Sequence, residues 1–103
     1  MAKSRIVWTD EARCWLREIR EYIARDRPAA ADRVIEGIWD KTQLLASHPE
    51  AGFKYPLPGN DDVRVLLYGH YRIAYLLTME TVTILGVFHA ALDIERYFPA
   101  KPK

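Results

Sequence analysis

At 103 residues the chain is sized for one domain, residues 1–103, with room for one core; half its residues are apolar and 28% charged, a balance that excludes a disordered chain. Fifteen Lys and Arg against fourteen Asp and Glu leave a formal charge of +1, which excludes the whole-molecule field of a dedicated nucleic-acid binder and leaves such binding to a local patch. The lone cysteine, Cys14, excludes an internal disulfide, the N-terminus has no secretory pattern and the longest apolar runs are strand-sized, so a soluble cytoplasmic protein without a membrane segment is expected.

Residues 5–8 form a short β-prone run, after which Thr9 offers a side-chain oxygen to cap a helix whose first turn holds Asp10 and Glu11. Ala12, Trp15, Leu16, Ile19, Tyr22 and Ile23 then recur at helical spacing and share one face, while Arg13, Arg17, Glu18, Arg20 and Glu21 take the other. Pro28 breaks this helix and suits the first turn of a second one. The second stripe runs through Ala31, Val34, Ile35, Ile38, Trp39, Leu45 and Ala46 and stops before Pro49. So short a joint predicts an antiparallel helical hairpin.

Residues 49–62 hold Pro49, Gly52, Pro56, Pro58, Gly59 and Asn60, a density of punctuation that predicts a surface loop without regular structure. Three β-rich runs follow at 63–68, 71–77 and 82–88, and their hairpin-sized connections predict an antiparallel sheet. Residues 89–98 read as a helical turn or short helix stopped by Pro99. The expected fold class is α+β: an N-terminal strand, an antiparallel two-helix hairpin, then a three-stranded antiparallel sheet with a short C-terminal helix.

No CxxC, HxxxH or HExxH spacing is present and the glycines are scattered, so neither a metal nor a nucleotide cofactor is expected. Cys14 lies within an amphipathic helix, where packing or surface roles outweigh that of an activated thiol. Lys54, Arg64, His70, Arg72, His89 and Arg96 gather in the loop-and-sheet half. Arg64 and Arg72 are candidates to share one sheet face and grip an anion through bidentate hydrogen bonds, or else to stand solvated beside Asp61, Asp62 or Glu80. His89 ends the last strand, where it suits a general acid or base near neutrality and equally a cap for the next turn. Tyr71, Tyr75 and Tyr97 suit base stacking or, as strand tyrosines more commonly do, half-buried packing.

Four stretches, taken in order, carry a resemblance. They are Ile19-Arg20-Glu21-Tyr22-Ile23-Ala24 leading through Pro28-Ala29-Ala30-Ala31; Leu44-Leu45-Ala46-Ser47-His48-Pro49-Glu50-Ala51-Gly52; Tyr71-Arg72-Ile73-Ala74-Tyr75; and Val87-Phe88-His89-Ala90-Ala91-Leu92-Asp93. Together they resemble the RelE/ParE superfamily of bacterial toxins, the toxic halves of type II toxin–antitoxin modules, over nearly the whole chain. The superfamily has a RelE-like branch of ribosome-dependent mRNA endoribonucleases and a ParE-like branch that binds and poisons DNA gyrase. The proline-alanine entry to the second helix and the sequence from Leu45 to Gly52 look more like ParE.

By that resemblance Arg72 matches the arginine that would stabilise phosphate charge in RelE, and His89 opens the superfamily's C-terminal motif. Ala90 and Leu92 stand where that motif has a glycine and an arginine, so one cation expected of a nuclease is missing. The near-neutral charge points the same way, and the resemblance implies a gyrase-binding toxin without catalytic residues. Its target surface would include Arg64, Arg72, His89 and Arg96; a nuclease would draw on Arg72, His89, Arg64 and Lys54. The resemblance also implies a cognate antitoxin encoded by the adjacent gene, whose disordered tail folds over hairpin and sheet in a hetero-oligomer. Trp8, Trp15 and Trp39 are candidates to anchor that contact, although each falls on or near an apolar stripe suited to the core. A non-toxic binding module on the same fold is the remaining alternative.

Overall fold

The computed structural model describes residues 3–56, 59 and 61–89. In chain order the elements are β1 (Arg5–Trp8), α1 (Asp10–Ala24), α2 (Pro28–Gln43) with a 3₁₀ turn at Leu44–Ala46, β2 (Phe53–Lys54), β3 (Asp62–Tyr68), β4 (Tyr71–Leu77) and β5 (Thr81–Phe88). The architecture is α+β, with the helical hairpin packed on one sheet, as the sequence predicts. The expected short C-terminal helix lies outside the described residues.

The sheet is larger than its sequence signals suggest. Its five strands run in the order β1-β5-β4-β3-β2, with β1 parallel to β5 and the other neighbours antiparallel. A parallel pair needs a long crossover, here everything from α1 to β4, and no local pattern announces it. The second addition is β2, two residues within a stretch expected to be irregular, which lie along β3 as a very short edge.

Local chemistry sets the helix boundaries. The Thr9 hydroxyl accepts from the Ala12 N–H at 3.0 Å and donates to the Ile84 carbonyl at 3.1 Å, so one side chain caps α1 and ties its start to β5. Pro28 opens α2 in the first turn, where its missing N–H leaves no donor unsatisfied. At Gly69 φ is +56°, the left-handed conformation that a two-residue β-hairpin loop requires and glycine adopts without strain.

The helix-facing side of the sheet carries the main core, in which Ile73, Tyr75, Val82, Ile84 and Val87 pack with Ile38, Leu45 and Ala12. A smaller cluster of Val65, Ala74 and Phe88 is joined by Trp15 and Tyr55. Both apolar stripes therefore face inward along most of their length, with two departures: Tyr22 is 73% exposed and Trp39 is 48% exposed. Of the three tryptophans only Trp8 is a buried core residue; Trp15 is half-buried and stacks at a tilt on Phe88, 4.9 Å between centroids.

Candidate functional site

The candidate residues fall into three separate places. The first is a clamp on the loop after α2. The Tyr75 hydroxyl, on the helix-facing side of β4, donates to the Pro49 carbonyl at 2.7 Å and accepts from the Gly52 N–H at 2.9 Å. Beside it, Arg64 Nη1 donates to the carbonyls of Glu50 (3.2 Å) and Gly52 (3.1 Å), and its Nε donates to Asp62 Oδ1 at 3.0 Å. Burial raises the Tyr75 pKa above the ordinary tyrosine value, although the Gly52 hydrogen bond and the nearby Arg64 charge pull it down. A Cβ on Gly52 would lie 2.8 Å from the Val65 carbonyl oxygen and 2.9 Å from the Tyr75 ring, so the glycine is there for close approach.

The register corrects the expectation that Arg64 and Arg72 share a sheet face. Arg64 stands opposite Tyr75 and Arg72 opposite Leu67, so their cross-strand positions on β3 are an odd number of residues apart and their side chains leave opposite faces. Arg64, with a side chain only 14% exposed, is held by Asp62 and two carbonyls, so it is ion-paired with one of the expected acids but not solvated. Lys54 lies opposite Arg64 on the edge strand and is exposed.

Arg72 marks the second place, on the sheet face turned away from Tyr75. It sits between Leu67 of β3 and Phe88 of β5 in the register, and it makes no ion pair among the described residues. Leu67 is 49% exposed, and Phe53, which lies opposite Val65, two residues from Leu67 on the same face, is 52% exposed. One cation next to two open apolar side chains is chemistry suited to gripping a protein surface.

The third place is the far end of β5. His89 is exposed and meets Tyr71 edge-on with centroids 5.4 Å apart, and His70 at 6.4 Å. Tyr71 has a pKa raised by burial and, secondarily, by Tyr22. A cleft of about 350 Å³ opens here, walled by Trp15, Ile19 and Tyr22 of α1 and by Tyr71, Val87 and His89 of the sheet. The exposure of Tyr22, which helical spacing assigns to the core, follows from its place on the wall of this cleft. Arg96 and Tyr97 lie outside the described residues. Among the described residues, no group of three or more His, Cys, Asp or Glu is placed to hold a metal, and no helix is long and apolar enough to cross a membrane.

A family model described as the ParE toxin of the type II toxin–antitoxin system ParDE matches residues 6–94. The chain belongs to this family. A curated relative from Sinorhizobium fredii, the candidate toxin Y4kP, is 37% identical over 90 residues, covering 87% of this chain and 92% of its own. Among solved structures, the chromosomal ParDE system of P. aeruginosa aligns with a TM-score of 0.74 at 19% identity, covering 85% of this chain and 97% of that one. The RelBE2 toxin–antitoxin complex of Mycobacterium tuberculosis aligns with a TM-score of 0.63 at 20% identity, covering 84% and 98%. At such identities the structures establish the fold.

Two features of this ParE-family chain escape the sequence reading. The loop clamp joins two of the four stretches that carried the resemblance, since Tyr75 closes one and Pro49 to Gly52 close another, yet nothing in either stretch specifies the contact. The half-open Trp39 lies at the margin of its stripe, beside Asp40 and Lys41, and that marginal position was the available signal.

Proposed function

We propose that this chain is the toxin of a type II module that acts by binding and poisoning DNA gyrase, as one cytoplasmic domain, and that a cognate antitoxin from the adjacent gene neutralises it in a hetero-oligomer. The observation that carries the choice of mechanism is the separation of Arg64 and Arg72 on opposite faces, with Arg64 already occupied by Asp62 and two carbonyls. Cleaving RNA calls for several cations converging on one phosphate, and a binding poison does not. The patch of Phe53, Leu67 and Arg72 offers such a poison an apolar and cationic contact surface. Membership in the ParE family and the likeness to a ParDE system support the same reading.

The experiment is DNA supercoiling by purified gyrase with the purified chain added. Inhibition that disappears on adding antitoxin is expected, and unchanged supercoiling at large molar excess would reject the target. A second reading, a ribosome-dependent nuclease, is favoured by one specific observation, the imidazole of His89 against the Tyr71 ring beside His70. It requires cut mRNA in cells expressing the chain, and intact transcripts in poisoned cells would exclude it.

A further inference from the structure

The cleft between α1 and the far end of β5 has walls of a particular chemistry. Trp15, Glu18, Ile19 and Tyr22 follow at i, i+3, i+4 and i+7, so α1 presents them along one wall, while Tyr71 and His89 stand on the wall that the sheet supplies. Both walls are propped from behind or beside. Trp15 leans on Phe88, which is 0% exposed, and Tyr71 meets the His89 ring edge-on at 5.4 Å. Tyr22 forms the open side, and the volume of about 350 Å³ falls at the small end of ligand-sized clefts. Among the described residues no Lys or Arg lines this cleft, although the chain has fifteen. Glu18 lines it, and among the described residues Glu18 makes no ion pair. Burial raises the Tyr71 pKa, so its phenol contributes a neutral ring and Glu18 supplies the negative charge.

We infer that this cleft binds a small free organic cation of the alkylated-ammonium type, its nitrogen against the rings of Trp15, Tyr22 and Tyr71 and beside the Glu18 carboxylate. The site goes beyond the toxin reading and does not depend on it. Aromatic faces carry the negative end of a quadrupole and attract a cation within about 6 Å, most strongly for tryptophan. The walls also select among cations. A bare ammonium surrenders several hydrogen bonds to water on entering a mostly aromatic cleft, whereas an alkylated nitrogen has few to lose and offers methyl groups to the rings. A metal ion would want three or more donors, and the described residues hold no such group of His, Cys, Asp or Glu. An anion would meet Glu18 with no Lys or Arg among the described lining residues to offset it, which also disfavours a lipid headgroup with its phosphate.

The test titrates the full chain with choline and with its uncharged isostere, a dimethylbutanol in which carbon replaces the nitrogen, read by saturation-transfer NMR and tryptophan fluorescence. Choline is expected to bind saturably and about fivefold or more tighter than the isostere. Tyr22→Leu keeps apolar bulk but removes a π face, and it is expected to weaken choline about threefold while leaving the isostere within about twofold; Tyr22→Phe is expected to bind choline like the parent. Glu18→Gln is expected to cost about threefold at low salt and less at high salt, and the double variant Glu18→Gln with Tyr22→Leu about tenfold. Met79→Ala, 99% exposed in the turn between β4 and β5, serves as the remote control and is expected to change nothing. Far-UV circular dichroism establishes that each variant is folded. Equal affinity for choline and its isostere would leave a merely apolar cleft and overturn the inference. Choline that fails to bind, or that binds the double variant within about twofold of the parent, overturns it as well. Cosedimentation with phosphatidylcholine vesicles is expected to be absent, and its presence would refute the assignment to a free ion.

Discussion

Replacing Tyr75 by Phe removes one oxygen from a fully buried side chain and leaves two backbone groups without partners. The Gly52 N–H is buried and loses its acceptor; the Pro49 carbonyl is half-buried and loses its donor. An orphaned buried polar group costs about 1–3 kcal/mol, and the Pro49 oxygen can recover part of that from water, so the expected loss is about 2–3 kcal/mol. For a domain near this size each kcal/mol moves Tm by about 4–8 °C, so a fall of about 8–24 °C is expected, with an unchanged urea m-value. The same substitution has a signature in alkali. Burial raises the Tyr75 pKa, so the folded chain holds this proton more tightly than the unfolded chain does. That contribution is fully present below about pH 10, the unfolded tyrosine value, and is lost as pH rises through the folded value. The parent should therefore lose stability above that pH more steeply than Tyr75→Phe, which keeps only the share due to Tyr71. A stability loss under about 0.5 kcal/mol at neutral pH would refute the clamp, because it would mean that neither backbone group depends on the hydroxyl.

Gly52→Ala should destabilise by about 2 kcal/mol or more in urea titration, since its Cβ meets a strand carbonyl and a ring that is 0% exposed, and neither can yield. Thr9→Ala loses both a helix cap and a tether to β5, and about 1–2 kcal/mol is expected in the same assay. Asp32→Asn breaks the pair with Arg20, whose side chains are 54% and 61% exposed, and the expected change is within about 0.5 kcal/mol at physiological salt. Arg72→Glu reverses the charge beside Leu67 without removing an ion pair among the described residues, and it is expected to reduce gyrase inhibition in the supercoiling assay while the thermal transition stays in place.

How much of this was legible in the sequence follows from the range of each interaction. Thr9, Pro28 and Gly69 act on their own neighbours, so the cap, the helix break and the hairpin turn were readable from residue type. The helical stripes predicted their buried faces because periodicity is also local, and they failed at Tyr22 and Trp39, where α1 and α2 run along clefts that the sheet does not fill. The β1–β5 pairing joins residues separated by most of the chain, and no spacing within either segment encodes it. β2 was hidden for a different reason: a two-residue edge takes its conformation from its neighbour β3 and has no pattern of its own.

Register is where the reading of the candidate site turned. The motif around Arg72 and the nearby Arg64 looked like one cationic pair because both lie in adjacent β-rich runs. In a strand, however, one residue of offset moves a side chain to the other face, and the offset is set by the turn at Gly69 and His70. That turn pairs Tyr68 with Tyr71, which forces Arg72 opposite Leu67 and Arg64 opposite Tyr75. One arginine is thereby directed inward to bind the loop carbonyls, and the other outward beside Leu67, without an ion pair among the described residues. The same residue types would read as a phosphate grip if the loop between β3 and β4 were one residue longer and the hairpin register shifted with it. Inserting one glycine after Gly69 tests this directly: a slipped register would release Arg64 from Glu50 and Gly52 and lower stability, whereas a loop that absorbs the insertion as a bulge would leave the clamp and the Tyr75 alkaline signature intact.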